Sequence, residues 1–389
     1  MFGAALSEHP IAAHATGEVV GAVLERVGEG PDVAVLFATG AHVGAFDDIA
    51  RAVRETLHPK ALVGASAVSV IGGAREVEER PALALWAGAA EGARALWFEA
   101  TALSDDEWVF RGPEDDELSA GATLVLLADP TSFPVSQFLE HTRVHRPDVR
   151  VVGGLASAGF VPNANRLTVD GETRSAGGAG LVLPAGHQVT TVVSQGCRPI
   201  GDPLTVTRAE RNIIYEIAGR PALERLLELL ETLTEEELGM ARQGLHVGRV
   251  IDEHKAEFDR GDFLIRNVIG GDREIGAIAV GDEIQVGDTV QFQVRDGRSA
   301  DEDLRLLLDG QIAEGALVFT CNGRGARLFG ESDHDAEVVV RSIESGAVAG
   351  MFCAGEIGPV GDQSFLHGFT ASVVLFGGRA TDRPLRLPE

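Results

Sequence analysis

The sequence predicts an α/β protein of two related lobes, in which mixed and largely buried β-sheets are flanked by helices. The first observation is that apolar runs alternate with helix-like stretches, in a pattern that occurs three times along the 389 residues. Continuous apolar runs that alternate with helices are typical of βαβ units, whose parallel strands are buried on both faces. The second observation is a group of short apolar runs separated by glycine and proline, which is typical of antiparallel strands. Both kinds of strand pairing are therefore expected.

Each of the three repeats consists of a strand, a helix-like stretch and a closing apolar run that contains glycine. In chain order, these three parts cover 33–37, 46–57 and 62–66; then 123–127, 136–145 and 151–154; then 317–319, 335–343 and 348–352. Because the repeats occur in both halves of the chain, they predict two lobes. We divide the chain near Ala218 and Gly219, into residues 1–218 and 219–389.

The region between the second and third repeats contains shorter elements. Antiparallel strands are predicted at 180–183, 189–193 and 204–206, and further strands at 263–268, 275–280 and 289–295. A helix is predicted over 222–238, because leucines recur there at helical spacing, and we interpret that stripe as a packing face. A further helix is predicted over 300–308.

Composition limits the partners that the chain can have. It carries 33 basic and 59 acidic residues, a formal net charge of −26 at pH 7, which repels nucleic acid and anionic membrane surfaces. The N-terminal residues lack the positively charged region of a signal peptide. The longest apolar runs, such as 124–128, are far shorter than the roughly twenty residues that span a bilayer. We therefore expect a cytoplasmic protein with no nucleic-acid or membrane partner.

Two glycine-containing loops near the C-terminus form the candidate binding site. Each loop follows an apolar run, the first at Ala316–Thr320 and the second at Ala347–Phe352. Glycines at the carboxyl ends of buried strands let backbone N–H groups approach a ligand, and ligands of α/β sheets bind at such ends. The candidate residues in these loops are Cys321, Asn322, Gly323, Arg324, Gly325, Gly355, Glu356 and Gly358. The alternative is that the glycines only permit tight turns.

The three cysteines allow an enzymatic alternative. Cys197, Cys321 and Cys353 are widely spaced and odd in number, so we expect reduced thiols and no disulfide framework or structural zinc site. Cys321 lies beside an arginine, which favours a thiolate, and His334 with Asp335 could complete a nucleophile and base arrangement. A small, inert core residue is the competing interpretation of Cys321. We assign no catalytic residue, but Cys321 is the candidate if the protein is an enzyme.

Histidine and cysteine also raise the question of metal and haem. His141 and His145 would share one helix face and could bind a metal, but no third ligand is suggested nearby. Cys197 could ligate haem iron as a thiolate. We predict no metal and no cofactor, and keep haem as an alternative.

Five segments resemble FIST domain proteins, and the resemblance covers nearly the entire chain. The segments are Ser194–Gly201, Phe263–Asn267, Val290–Asp296, Cys321–Gly325 and Gly355–Pro359.

The resemblance implies a FIST N-terminal region in residues 1–218 and a FIST C-terminal region in residues 219–389, as in stand-alone bacterial members. It also implies a sensor of small ligands, usually suggested to be amino acids, while some members are associated with haem and nitric oxide signalling. A chain of this type is expected to report through a separate signalling protein or to act on its ligand directly.

These considerations give three hypotheses of function. The first is a sensor in which Arg324 or Arg266 pairs with the carboxylate of an amino acid or similar metabolite, and Asn267 or Asn322 orients it. Glu356 would receive the amino group; its alternative role is a solvated loop carboxylate. For Arg266, the alternative is a structural salt bridge. The second hypothesis is the enzyme that uses a cysteine, and the third is a scaffold for a protein partner.

Overall fold

Eight α-helices lie along the part of the chain that the structure describes. The structure is a computed structural model and describes residues 1–104, 107–112 and 118–380. Its α-helices are α1 (Ala12–Val27), α2 (Phe46–Leu57), α3 (Val135–His145), α4 (Ala222–Thr232), α5 (Glu235–Gln243), α6 (Gly297–Leu308), α7 (Ala326–Phe329) and α8 (His334–Ile343). Short 3-10 helices cover Gly40–Ala45 and Arg260–Asp262.

The strands occur throughout the described chain. They are β1 (Phe2–Ser7), β2 (Val33–Thr39), β3 (Ala61–Ala67), β4 (Ser69–Gly72), β5 (Arg75–Glu78), β6 (Leu83–Gly88), β7 (Arg94–Ala102), β8 (Trp108–Arg111), β9 (Thr123–Ala128), β10 (Arg150–Leu155), β11 (Leu167–Val169), β12 (Glu172–Arg174), β13 (Gly178–Leu183), β14 (Val189–Gln195), β15 (Cys197–Pro199), β16 (Leu204–Glu210), β17 (Ile213–Ile217), β18 (Arg220–Pro221), β19 (Leu245–Val250), β20 (Phe263–Asp272), β21 (Ala277–Val280), β22 (Thr289–Arg295), β23 (Gln311–Ile312), β24 (Gly315–Cys321), β25 (Val348–Cys353), β26 (Glu356–Val360), β27 (Gln363–His367), β28 (Thr370–Phe376) and β29 (Arg379–Ala380).

The chain forms two compact units. Among the described residues, the first contains 1–193, 304–366 and 370–380, and the second contains 194–303 and 367–369. The boundaries of these units differ from the boundary between the predicted regions 1–218 and 219–389. The division into those two regions stays a prediction. The second unit is built from a short-stranded barrel in the order β15-β22-β16-β17-β21-β20-β19, which a β19–β22 pairing closes.

Three mixed sheets dominate the first unit. Their strand orders are β1-β6-β2-β3-β11-β12, β27-β26-β10-β9-β13-β7-β8 and β14-β28-β24-β25-β4-β5. Each sheet contains one predicted βαβ repeat, because β2 and β3, β9 and β10, and β24 and β25 are parallel neighbours. The predicted α/β class with mixed, helix-flanked sheets is therefore confirmed. All three repeats belong to the first unit.

Most predicted elements are present, with one clear correction. The helix predicted over 222–238 is two helices, α4 and α5. Leu233 is extended (φ −71°, ψ 149°), and Thr234 caps α5 through a reciprocal pair of hydrogen bonds with Glu237. Most of the leucine stripe packs inward, since Leu223, Leu226, Leu230 and Leu233 belong to one apolar cluster of the second unit. Leu227, which the predicted stripe also contained, is exposed instead.

The two faces of the third sheet contact different parts of the core. Leu317 and Phe319 of β24, together with Met351 and Cys353 of β25, belong to the large cluster between the sheets. The alternate residues of both strands pack in the cluster that contains α8. Successive side chains of a strand point to opposite faces of the sheet. The position of a polar residue at a strand end therefore determines on which face of the sheet its side chain lies.

No helix in the described part of the chain combines the length and the apolarity needed to cross a bilayer.

Candidate functional site

The two glycine loops begin side by side at one edge of the third sheet. Cys321 and Cys353, the last residues of β24 and β25, are partners in the parallel register. Asn322 donates its backbone N–H to the carbonyl of Cys353 at 3.0 Å. Within the first loop, the Arg324 N–H donates to the Cys321 carbonyl at 2.8 Å. The structure thus brings the predicted residues of the two loops to neighbouring strand ends.

The second loop also connects two sheets. It leads from β25 into β26, whose Glu356 pairs with Gly154 of β10. The Leu155 N–H donates to the Gly355 carbonyl at 2.8 Å. At Gly358, an added Cβ would lie 2.4 Å from a methyl group of Val193. Both glycines therefore serve the packing of strands, and their role toward a ligand stays a prediction.

Arg324 is a buried arginine that holds a buried acid. Its Nε and Nη2 atoms donate to the two carboxylate oxygens of Asp335 at 2.7 and 2.8 Å. The two side chains are only 1% and 0% exposed. Burial alone would raise the pKa of Asp335, but the charge of Arg324 and its hydrogen bonds hold that pKa well below its usual range.

Other groups complete the surroundings of this ion pair. Thr320 donates its hydroxyl to Asp335 at 2.7 Å, and a ring nitrogen of His334 lies 3.0 Å from the same carboxylate. The ring of Phe329 stacks on His334 and also lies 5.2 Å from the guanidinium carbon of Arg324. His334 and Asp335 are therefore in contact, but the Asp335 carboxylate also forms an ion pair with Arg324. The arrangement of these two residues with Cys321 as a nucleophile stays a prediction.

Glu76 is a second buried acid of the cluster, which the sequence analysis missed. It belongs to the hairpin strand β5 and accepts a hydrogen bond from the Ala336 N–H at 3.0 Å. Burial and the negative charge of Asp335 raise its pKa to about 8. Glu76 lies between the exposed Arg75 and the buried Val77 in a short hairpin, and no local signal distinguishes it from a surface glutamate.

Glu356, a predicted residue, is a third buried acid. Its Oε2 accepts hydrogen bonds from the Thr370 backbone N–H at 3.1 Å and from the Thr370 hydroxyl at 2.9 Å. Burial raises its pKa to about 8, although Thr370, the charge of Arg324 and the thiol of Cys321 oppose this shift. Near neutral pH this carboxyl group is therefore mainly protonated.

Four buried polar atoms in this cluster have no hydrogen-bond partner of ordinary geometry among the described residues. They are Nη1 of Arg324, Oδ1 of Asn322, Oε2 of Glu76 and Oε1 of Glu356. Buried groups of this kind are uncommon and need an explanation, because leaving one unsatisfied costs about 1–3 kcal/mol. The set contains a cationic donor and several oxygen atoms, which is a suitable combination for a polar ligand.

Only the start of the first loop meets solvent. Cys321, Asn322 and Gly323 are half-buried, whereas Arg324 and Gly325 are buried. Gly325 has φ +66° and ψ −151°, a backbone conformation that is essentially restricted to glycine. An added Cβ there would lie 2.9 Å from the carboxyl group of Glu78, which accepts the N–H of Ala326 at 3.0 Å. Gly325 thus fixes the turn that directs Arg324 inward.

Arg266 and Asn267 belong to the second unit, on β20. Arg266 donates from Nε to Asp282 at 2.8 Å, so the salt bridge considered as its alternative role is present. Asn267 is exposed and pairs in register with His246 of β19. Their assignment as ligand-binding residues stays a prediction.

The groups considered for metal or haem are placed as follows. The rings of His141 and His145 stack at 4.1 Å on α3. In the described residues, no group of three or more His, Cys, Asp or Glu side chains could hold a metal ion. Cys197 is fully buried in a small apolar cluster with Phe263 and Ile265. A core position of this kind does not fit an axial haem ligand, so we derive no step through haem.

Comparison with known proteins places this chain in a family. The family model of the FIST N domain matches residues 32–220, and that of the FIST C domain matches residues 222–359. The chain is 41% identical over 371 residues to the uncharacterized protein Rv0628c of Mycobacterium tuberculosis, covering 94% of both chains. It is 40% identical over 381 residues to the uncharacterized protein Mb0898c of Mycobacterium bovis, covering 96% of this chain and 98% of the relative.

FIST domains are regarded as sensory domains of signal transduction. The two matches together cover most of the chain in the order N domain then C domain, and the mycobacterial relatives align over nearly its whole length. The chain therefore belongs to the FIST family.

Proposed function

We propose that this chain is a sensory module whose ligand is a small anionic metabolite, with an amino acid as the first candidate. The site would lie at the carboxyl ends of β24 and β25. The observation that carries the proposal is the set of buried polar atoms without partners, above all Nη1 of Arg324 and Oδ1 of Asn322. A ligand that satisfied them would bind the folded chain and stabilise it.

The chemistry of these atoms matches the two charged ends of an amino acid. Arg324 uses Nε and Nη2 on Asp335, so the part of its guanidinium left for a ligand carboxylate is Nη1. Asn322 offers an oxygen to an ammonium group. Glu356 would ionise when an ammonium group binds beside it, because a positive charge lowers the pKa of a buried carboxyl.

We also propose that the module acts in the cytoplasm and passes its signal to a separate protein. The support for the compartment is that Cys197, Cys321 and Cys353 form no disulfide within the described residues, which suits a reducing environment. The net charge of −26 supports the expectation that neither nucleic acid nor an anionic membrane is a partner.

Thermal unfolding of the full chain against the proteinogenic amino acids, the matching 2-oxo acids, simple amines and haemin tests the ligand proposal. A ligand at a hundred times its Kd adds about 2.7 kcal/mol to the free energy of unfolding. We expect an amino acid to raise the midpoint, while its 2-oxo acid and its amine, which each lack one charged end, have less effect.

Variants locate the site in the same experiment. Asn322→Ala and Glu356→Gln should lose the shift, whereas Arg341→Ala should keep it, because Arg341 is exposed and pairs with Glu337 on the surface of α8. A shift that persists in both site variants would overturn the proposed location. No shift with any amino acid would overturn the ligand class, and a shift with haemin alone would favour a haem-binding sensor.

A further inference from the structure

We propose that Cys321 and Cys353 form an oxidant-sensitive dithiol, in which a hydroperoxide oxidises Cys321 and Cys353 then closes a disulfide between neighbouring strands. This inference concerns a modification site and goes beyond the proposed ligand. It rests on the placement of the two thiols and holds whether or not an amino acid binds.

The strand register brings the two cysteines together. Cys321 and Cys353 are direct partners in the parallel pairing of β24 and β25. Neighbouring strands lie about 4.7–4.9 Å apart, which is inside the Cα separation of about 4.4–6.8 Å that disulfides span. Paired residues of adjacent strands also present their side chains on the same face. For β24 and β25, this is the face that carries Phe319 and Met351.

The two thiols differ in access, as an attacked and a resolving cysteine should. Cys321 is half-buried, whereas Cys353 is fully buried. The sulfur of Cys353 fits against Gly154, where an added Cβ would lie only 2.3 Å away. An oxidant from solvent therefore reacts with Cys321 first, because burial shields Cys353 from direct attack.

The polar groups beside Cys321 suit the first step. The thiol interacts electrostatically with Arg324, and the carboxyl group of Glu356 faces it. A guanidinium near a thiol stabilises the thiolate, which is the form that reacts with peroxides. The backbone N–H of Gly323 also points to the Cys321 sulfur at 3.5 Å, which adds a weak donor to the anion.

The chemistry balances in two steps. The Cys321 thiolate attacks one oxygen of the hydroperoxide, the O–O bond breaks, and the departing alkoxide takes a proton, leaving a sulfenic acid and an alcohol, or water if the oxidant is hydrogen peroxide. The Cys353 sulfur then attacks the Cys321 sulfur and the S–O bond breaks. The sulfenic oxygen leaves as water with the thiol proton. The two sulfurs lose two electrons in total, and the peroxide gains them.

The product should be reversible. A disulfide is reduced when a thiolate attacks one of its sulfurs, at a rate that depends on access, and the half-buried Cys321 is open to that attack. The new bond would link the starts of the loops that carry Arg324 and Glu356. Oxidation would therefore act on the same strand ends as the proposed ligand.

Mapping of the thiols after peroxide treatment tests the proposal. The reduced full chain is exposed to a limiting amount of hydrogen peroxide, the remaining thiols are alkylated, and peptides are identified by mass spectrometry. We expect a disulfide between Cys321 and Cys353 within one chain, cleaved by dithiothreitol. Cys197, buried in the second unit, serves as the internal control and should be lost at least about tenfold more slowly, as its burial excludes the oxidant.

Two variants make the outcome decisive. Cys353→Ser should leave a sulfenic acid on Cys321 that dimedone traps, whereas Cys197→Ser should form the same disulfide as the unaltered chain. The proposal is overturned if Cys321 in the unaltered chain reaches the sulfinic acid without a disulfide, if the disulfide joins two chains, or if Cys197 reacts as fast as Cys321. The mapping of the unaltered chain can overturn the proposal by itself. The test therefore remains valid even if one of the variants fails to fold.

Discussion

Burial and the negative charge of Asp335 raise the pKa of Glu76, so two buried acids of one cluster are held in opposite protonation states near neutral pH. Arg324 donates two hydrogen bonds to Asp335 and keeps it ionised. Glu76 receives a backbone N–H from Ala336, and its pKa lies near 8. Environments that push the pKa values of neighbouring groups apart are typical of functional sites. Asp335 thus organises the cluster, although it is not itself exposed to a ligand.

Removing the charge of Asp335 should destabilise the chain strongly. Asp335→Asn leaves Arg324 as a buried cation without a counter-ion, and breaking a buried pair in this way costs about 3–5 kcal/mol. Urea unfolding would measure the change. The matched control is Glu337→Gln on the exposed side of the same helix, where the pair with Arg341 contributes about 0.5 kcal/mol or less. A loss below about 1 kcal/mol in Asp335→Asn would contradict the importance of this ion pair.

Stability should fall as the pH rises toward 8, and Glu356 should contribute to that fall. A glutamate ionises near 4.5 when unfolded, but Glu356 in the folded chain ionises near 8. Between these values the folded chain binds more protons than the unfolded chain, so the free energy of unfolding decreases with rising pH. Glu76 acts in the same direction.

Glu356→Gln isolates this contribution, because glutamine resembles the protonated acid but does not titrate. We expect the free energy of unfolding of the variant to fall less steeply with pH than that of the unaltered chain, by up to about 1.4 kcal/mol per pH unit. Urea unfolding at several pH values between about 5 and about 8 measures the slope. An identical slope in the variant and the unaltered chain would show that Glu356 is already ionised at neutral pH.

The hydroxyl of Thr370 should matter more than its methyl group. It donates to Glu356 at 2.9 Å in the interior, and loss of one partner of a buried hydrogen bond costs about 1–3 kcal/mol. Thr370→Val should show this loss in urea unfolding, whereas Thr370→Ser keeps the donor and should retain most of the stability. Equal losses in the two variants would mean that packing, and not the hydrogen bond, explains the effect.

Alanine should be tolerated much less at Gly325 than at Gly330. Both glycines have positive φ, at +66° and +76°. A Cβ at Gly325 would contact Glu78 and Phe352 at 2.9 Å, whereas a Cβ at Gly330 would have nothing within 4 Å. We expect Gly330→Ala to cost about 1 kcal/mol and Gly325→Ala about 1–3 kcal/mol more. Similar unfolding midpoints for the two variants would contradict the fixed turn at Gly325.

Local patterns were sufficient to predict the repeats because their signals are contained in short segments. The helix predicted over 46–57 is α2, whose buried residues recur at helical spacing, and the three parallel strand pairs follow from apolar runs. By contrast, α1 and the hairpin β4–β5 were not predicted. The helix over 222–238 was predicted as continuous, but the capping box of Thr234 begins a second helix there.

The candidate site was only partly predictable for the same reason. Arg324 and Glu356 stand out because glycines bracket them, and Cys321 stands out because it directly follows an apolar run. Glu76 lies on β5 of the hairpin β4–β5, and it reaches the cluster because β4 pairs with β25. This pairing brings Ile71 and Gly350 together, and no local pattern in the sequence indicates it. Such long-range pairing is set by the whole fold. The same is true of the ion pair between Arg324 and Asp335.

Protection of the Cys321 thiol by ligand is the most direct test of the central claim that a small metabolite binds at the ends of β24 and β25. The reduced chain is alkylated with iodoacetamide in the presence of each proteinogenic amino acid, and the modified cysteine is identified by mass spectrometry. An amino acid that binds at this site should slow the modification of Cys321 at the same concentrations that raise the unfolding midpoint. If an amino acid stabilises the chain but leaves the alkylation rate of Cys321 unchanged, or if none protects it, the proposed site is wrong.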